Sequence, residues 1–278
     1  MSNDFKKKKQ YGQNFLTSSA IPKRIALESG INEENGVIEI GPGFGILTRE
    51  LCAIATKVVA IEIDSELMSI LPEKLAGIDN YKIINEDILK IDINSLLQSE
   101  FPNKEVCVCA NLPYYITTDI VMKLLEGGHG FKTITVMVQK EVAERFCSKP
   151  GTSGYGAITA SISYYASVKR LFTVKAGSFD PKPKVDSAVI RFDVYKKPPV
   201  QPLDKNTLFD VIKAAFSQRR KTLSNSLNSF FGNELSKQQI SEIIVSNGLS
   251  ETVRGEELDI YAFSNIADSI YKIKNKNK

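Results

Sequence analysis

Gly36-Val37-Ile38-Glu39-Ile40-Gly41-Pro42-Gly43-Phe44-Gly45-Ile46-Leu47-Thr48-Arg49-Glu50-Leu51 is the stretch that decides the fold. Its first five residues form an apolar strand broken by a single acid, the next five a glycine loop, and the remainder a helical pattern. Glycines let the backbone turn tightly and approach a ligand, and the helix start that follows offers unpaired N–H groups. Strand, glycine loop and helix in that order predict the first unit of a doubly wound α/β sheet. A glycine loop is common by itself; what lies downstream of it is less so.

A second strand, Lys57-Val58-Val59-Ala60-Ile61, runs into Glu62, which stands 21 positions after Gly41, a spacing that suits an acid binding ribose hydroxyls. A third, Tyr81-Lys82-Ile83-Ile84, ends in Asn85-Glu86-Asp87, where Asp87 can accept a hydrogen bond from an amino group on an adenine ring. A fourth, Val106-Cys107-Val108-Cys109-Ala110, ends in Asn111-Leu112-Pro113-Tyr114, after which Tyr115-Ile116-Thr117-Thr118 leads into a helix. Gly41, Glu62, Asp87 and Asn111 therefore share one edge of a parallel sheet, the edge at which such sheets bind ligands. The dinucleotide fingerprint G-x-G-x-x-G fails here, because Ile46 occupies the place of its third glycine. The shorter G-x-G-x-G loop fits a ligand without a pyrophosphate and argues against a nicotinamide-linked oxidoreductase.

The Asn111–Tyr114 stretch has the chemistry of a pocket for a flat base whose exocyclic amine reacts. Asn111 offers a side-chain oxygen as acceptor, and because a residue before proline is held extended, the Leu112 carbonyl can point the same way. Tyr114 supplies a stacking surface. The bland alternative is a turn that closes a strand.

Composition bounds the remaining possibilities. The chain has 278 residues, 42% of them hydrophobic, enough for one large domain or a large and a small one. No apolar run approaches the roughly 20 residues needed to span a bilayer, and the N-terminus lacks a signal-peptide segment, so a cytoplasmic location is expected. Cys52, Cys107, Cys109 and Cys147 show no C-x-x-C spacing, and reduced thiols with no metal are expected. His129, the sole histidine, lies in a glycine-rich loop, so neither a Ser/His/Asp triad nor a multi-histidine metal cluster can be assembled. Residues 196 to 278 carry 13 Lys and Arg against 9 Asp and Glu, whereas the rest of the chain is balanced. With Lys6-Lys7-Lys8-Lys9, that gives two separated basic patches, which fit a polyanionic partner.

Taken together, Glu39 to Gly45, Glu62, Asp87 and Asn111 to Tyr114 resemble the S-adenosylmethionine-dependent rRNA adenine N6-dimethyltransferases. Tyr11-Gly12-Gln13-Asn14-Phe15-Leu16 resembles the family's N-terminal motif, and Phe179-Asp180-Pro181-Lys182-Pro183-Lys184-Val185-Asp186-Ser187 its late F-x-P-x-P-x-V-x-S motif, so the likeness covers nearly the whole chain in order. It implies a class I methyltransferase, a Rossmann-like seven-stranded sheet over residues 1–196, followed by a small all-helical domain over residues 203–278 that binds rRNA. The proline-rich Lys196–Pro202 stretch is the boundary between them.

The resemblance further implies that Gln13, Asn14, Leu16, Gly41, Gly43, Gly45, Glu62, Ile63, Asp87, Ile88 and Asn111 hold S-adenosylmethionine. Asn111, Leu112, Pro113 and Tyr114 form the reaction centre, with Phe179 stacked on the other face of the base. Phe216-Ser217-Gln218-Arg219-Arg220-Lys221-Thr222-Leu223, together with Leu112 and Thr117-Thr118, is similar to the branch acting on 16S rRNA of the small ribosomal subunit rather than the macrolide-resistance branch acting on the large one. Ser217 and Ser224 depart from what is common there. Arg219, Arg220 and Lys221 are expected to open a helix and grip rRNA phosphates. A noncatalytic RNA-binding assembly factor on the same fold is the competing reading.

Overall fold

The computed structural model describes residues 14–218 and 220–276; Gln13, Arg219 and the lysine arm at residues 6–9 lie outside the described residues. The chain divides into two compact units, one of residues 1–143 and 167–194, the other of residues 144–166 and 195–278.

In the first unit, a short strand β1 (Phe15–Leu16) and helix α1 (Ala20–Glu28) precede β2 (Gly36–Ile40), α2 (Ile46–Cys52), β3 (Lys57–Glu62), α3 (Leu67–Lys74), β4 (Tyr81–Asn85), α4 (Ile93–Glu100), β5 (Val106–Asn111), α5 (Thr117–Glu126) and β6 (Thr133–Gln139). Helix α6 (Lys140–Phe146) leads out of this unit, helix α7 (Ala157–Tyr165) belongs to the second, and the first resumes with β7 (Ala166–Val174), β8 (Phe179–Asp180) and β9 (Ser187–Val194). Seven strands form one sheet in the order β4-β3-β2-β5-β6-β9-β7, with β2 to β6 parallel and β9 antiparallel to β6. Every residue of β2 is buried, and so is β5 up to Ala110, as expected of central parallel strands covered on both faces. That is why they read as continuous apolar runs, and why Cys107 and Cys109 pack there as small hydrophobes. Edge strand β4 instead leaves Lys82 exposed.

One pairing was not expected from sequence. β1 and β8 form a two-stranded antiparallel sheet, Leu16 opposite Phe179, and Thr17 N–H donates to the Ser178 carbonyl at 3.0 Å. It ties the start of the described chain to the late proline motif.

The second unit is helical: α7, α8 (Lys205–Phe216), α9 (Leu223–Phe231), α10 (Lys237–Ser246) and α11 (Ile260–Lys276). α8 buries Leu208, Val211, Ile212 and Ala215, one apolar stripe at helical spacing. It packs on α7, α9 and α11, and the Tyr165 and Phe209 rings stack with centroids 5.7 Å apart. Residues 144–166 thus join the helices that come after the proline-rich stretch.

One helix start differs from the sequence reading. The Thr222 side chain accepts from the Asn225 N–H and caps α9, so Arg220 and Lys221 lie in the turn before the helix and not within it. A helix N-terminus carries partial positive charge, which disfavours basic residues in the first turn. Asp259 caps α11, and Gly255–Glu257 forms a separate 3-10 turn before it. Among the described residues, no helix is long and apolar enough to cross a membrane.

Candidate functional site

The carboxyl ends of β2, β3, β4 and β5 open on one cavity, at the point where the chain reverses its direction of travel across the sheet. Register aligns those ends: Ile40 lies opposite both Ile61 and Ala110, and Glu62 opposite Asn85. Asn14, Leu16, Gly41, Gly43, Glu62, Ile63, Asp87, Ile88 and Asn111 all line the cavity, as do Leu112, Pro113 and Tyr114. Gly45 does not. It is buried one step behind the wall, where its φ of 77° makes it the left-handed start of α2. At Gly43, φ is 57° and an added Cβ would meet the Phe15 ring at 3.0 Å, so only glycine fits beneath β1. Phe15 lies against Phe44 with ring centroids 4.4 Å apart, closing β1 over the loop.

Two acids face this cavity from adjacent strands. Glu62 accepts from the Asp64 N–H at 2.8 Å; burial raises its carboxyl, and N–H groups of Asp64, Gly43 and Ile63 oppose that shift. Glu39, at 1% exposure, is the stronger case, because neither carboxyl oxygen has a hydrogen-bond partner among the described residues. Burial, the main cause, and the nearby Glu62 push it up from 4.5 to about 8. Thr48 Oγ1 partly offsets the shift without reaching the geometry of a hydrogen bond. An unpartnered buried carboxyl costs free energy unless something else satisfies it. Sequence reasoning left Glu39 as the acid that interrupts a strand; its place two residues before the G-x-G-x-G loop was the available signal.

At the end of β5, where the sequence places the expected reaction centre, the Asn111 amide nitrogen donates to the Asn14 carbonyl at 3.1 Å. That bond identifies the nitrogen and leaves Oδ1 as the amide's acceptor. The turn beyond it is fastened by Ile116 N–H and Thr117 Oγ1, both donating to the Pro113 carbonyl at 3.3 and 3.1 Å. The Tyr114 hydroxyl lies 2.7 Å from Ser187 Oγ at the start of β9, a hydrogen bond that orients the ring; burial raises the phenol, with the Ser187 bond opposing. Ser187 is a site residue that sequence reading placed only at the end of a motif.

Phe179 is not brought to the cavity. At 4% exposure its ring is packed in the core with Leu16, Phe172 and Val174. β1 pins it there, so the face on which a base would stack is covered. Of the expected RNA contacts, Arg220 and Lys221 are exposed in the helical unit.

A mostly parallel sheet of this order, with a glycine loop and acids at successive strand ends, defines a class I methyltransferase. The chain belongs to the ribosomal RNA adenine dimethylase family, whose model matches residues 4–267, and it is an enzyme that dimethylates adenine in ribosomal RNA. It is 43% identical over 269 residues to "Ribosomal RNA small subunit methyltransferase A" of Clostridium acetobutylicum, covering 97% of this chain and 95% of that one. Among solved structures, a dimethyladenosine transferase from Plasmodium falciparum matches with a TM-score of 0.79 and 26% identity, covering 91% of this chain and 95% of that one. The 23S rRNA methyltransferase ErmE matches at 0.72 and 25%, covering 93% and 100%.

Proposed function

We propose that this enzyme transfers methyl groups from S-adenosylmethionine to N6 of two adjacent adenosines near the 3′ end of 16S rRNA, in the small ribosomal subunit or its precursor in the cytoplasm, giving N6,N6-dimethyladenosine. The observation that carries the chemistry is the Asn111 amide, oriented by Asn14 so that its oxygen serves the cavity. The choice of the small subunit rests on the higher identity to the relative named for it than to the structure named for 23S rRNA.

The residues present fit the cofactor. Glu39, buried and without a hydrogen-bond partner among the described residues, suits an ammonium group; Glu62 suits vicinal ribose hydroxyls; Ile63 and Ile88 suit the faces of a purine, with Asp87 at its edge. When bound, the cofactor supplies an electrophilic methyl on a sulfonium. An adenine amine is a poor nucleophile because its lone pair is delocalised into the ring. The Asn111 side-chain oxygen and the Leu112 carbonyl accept its two hydrogens and turn the lone pair out of the ring plane. Accepting a methyl from the bound cofactor would place positive charge on that nitrogen, so these acceptors would hold the transition state more tightly than the ground state. The proton then leaves to water, and no general base is needed. Tyr114, held by Ser187, stacks on the extruded base and offsets part of the unstacking cost.

The test is transfer of label from tritiated S-adenosylmethionine to unmethylated small subunits, with the product nucleoside identified. Dimethyladenosine is expected with the parent protein. Asn111→Ala should abolish it while leaving subunit binding intact. Near-normal turnover by that variant would refute the mechanism.

A further inference from the structure

We propose that Tyr115 is the platform on which the nucleotide next to the target adenosine stacks, so that two consecutive tyrosines hold two consecutive bases. This rests on the reading of the cavity as the adenine site. Of the aromatic rings lining that cavity, Tyr115 is the exposed one, at 61%, whereas Tyr114 is half-buried and fixed by Ser187.

The exposure is not looseness of the backbone. Ile116 N–H and Thr117 Oγ1 tie the turn to the Pro113 carbonyl, and the Ile120 N–H donates to the Ile116 carbonyl at 3.1 Å, so the chain around Tyr115 is fastened on its helical side. The turn therefore presents the second ring at the rim while the first points inward. A large ring held in solvent gains by covering a face, and consecutive Cα atoms are only about 3.8 Å apart. When one base occupies the pocket against Tyr114, its neighbour is one backbone step away, at that rim. Every base has a π-face, so stacking needs no particular partner and suits a site that must accept either adenosine of a pair in turn.

The experiment uses reconstituted small subunits in which one adenosine of the pair is replaced by an abasic nucleotide, each position in turn, beside intact subunits. Methylation of the remaining adenosine is measured for the parent, Tyr115→Phe and Tyr115→Ala, with S-adenosylmethionine affinity as the check on folding. On intact subunits Tyr115→Ala should raise KM by about tenfold with kcat and cofactor affinity little changed, and Tyr115→Phe should match the parent. The abasic neighbour should cost the parent a similar factor and cost Tyr115→Ala nothing further. An equal abasic penalty in parent and Tyr115→Ala, or an unchanged KM in Tyr115→Ala, overturns the proposal while leaving the adenine site intact. Absence of N6-methylated product from the parent on intact subunits overturns the adenine-site reading, and this inference with it.

Discussion

Replacing Glu39 by Gln removes an ionisable carboxyl from the cavity wall and almost no volume, and its effect can be worked from the site. In the ligand-free protein burial lifts this carboxyl from 4.5 to about 8. Below 4.5 both folded and unfolded chains carry it protonated, and Glu39 stabilises as well as its neutral isostere does. As pH rises from there the unfolded chain ionises while the folded one stays neutral, so folding stability is lost at about 1.4 kcal/mol per unit until the folded carboxyl also ionises near 8. The accumulated loss is roughly 5 kcal/mol, an upper bound because water and local relaxation reduce it. Denaturant unfolding of ligand-free protein at pH 5, 7 and 9 should therefore show parent and Glu39→Gln nearly equal at pH 5 and the variant increasingly more stable towards pH 9. Calorimetric titration with S-adenosylmethionine in two buffers of different ionisation heat should show proton release on binding by the parent at pH 7, because the ammonium favours the carboxylate, and none by the variant. A stability difference that does not change between pH 5 and 9 would refute the buried, unpartnered state of Glu39. Proton release that persists in the variant would refute its role towards the ammonium.

Tyr114→Phe keeps the ring and loses only the Ser187 hydrogen bond, about 1 kcal/mol, so turnover should fall several-fold at most; Tyr114→Ala also loses the stacking, about 1–3 kcal/mol per base, and should lose most activity. Equal loss in both would assign the role to the hydroxyl. Glu62→Ala should weaken S-adenosylmethionine binding by roughly 1.5–3 kcal/mol, as for hydrogen bonds to a charged group; calorimetry showing parental affinity would remove Glu62 from the site. Converting Arg219, Arg220 and Lys221 together to Ala should spare cofactor binding, weaken binding to small subunits, and flatten the plot of log affinity against log salt by about 0.7–0.9 per lost phosphate contact. A variant with the parent's affinity and slope would leave the cluster as plain surface.

Much of this protein was legible because the features concerned are local. The buried central strands appear as apolar runs, the G-x-G-x-G spacing marks a tight turn between strand and helix, and Asn111 to Tyr114 combine acceptors with a ring inside four residues. These patterns determined the parallel sheet, its ligand edge and the class of chemistry. The tertiary structure decided what depends on residues far apart in the chain. Ser187 fixes Tyr114 across 73 positions, Asn14 orients Asn111 across 97, and β1 seals Phe179 into the core instead of leaving it to face a base. Whether an acid inside a strand is paired or orphaned depends on which neighbours the fold brings to it, so Glu39 could be read as part of a motif but not as a buried carboxyl without a hydrogen-bond partner among the described residues. The same holds for residues 144–166. Their place before the proline-rich boundary put them with the sheet domain, but packing against α8 and α11 assigns them to the helical unit, because hydrophobic burial follows proximity in space and not order along the chain.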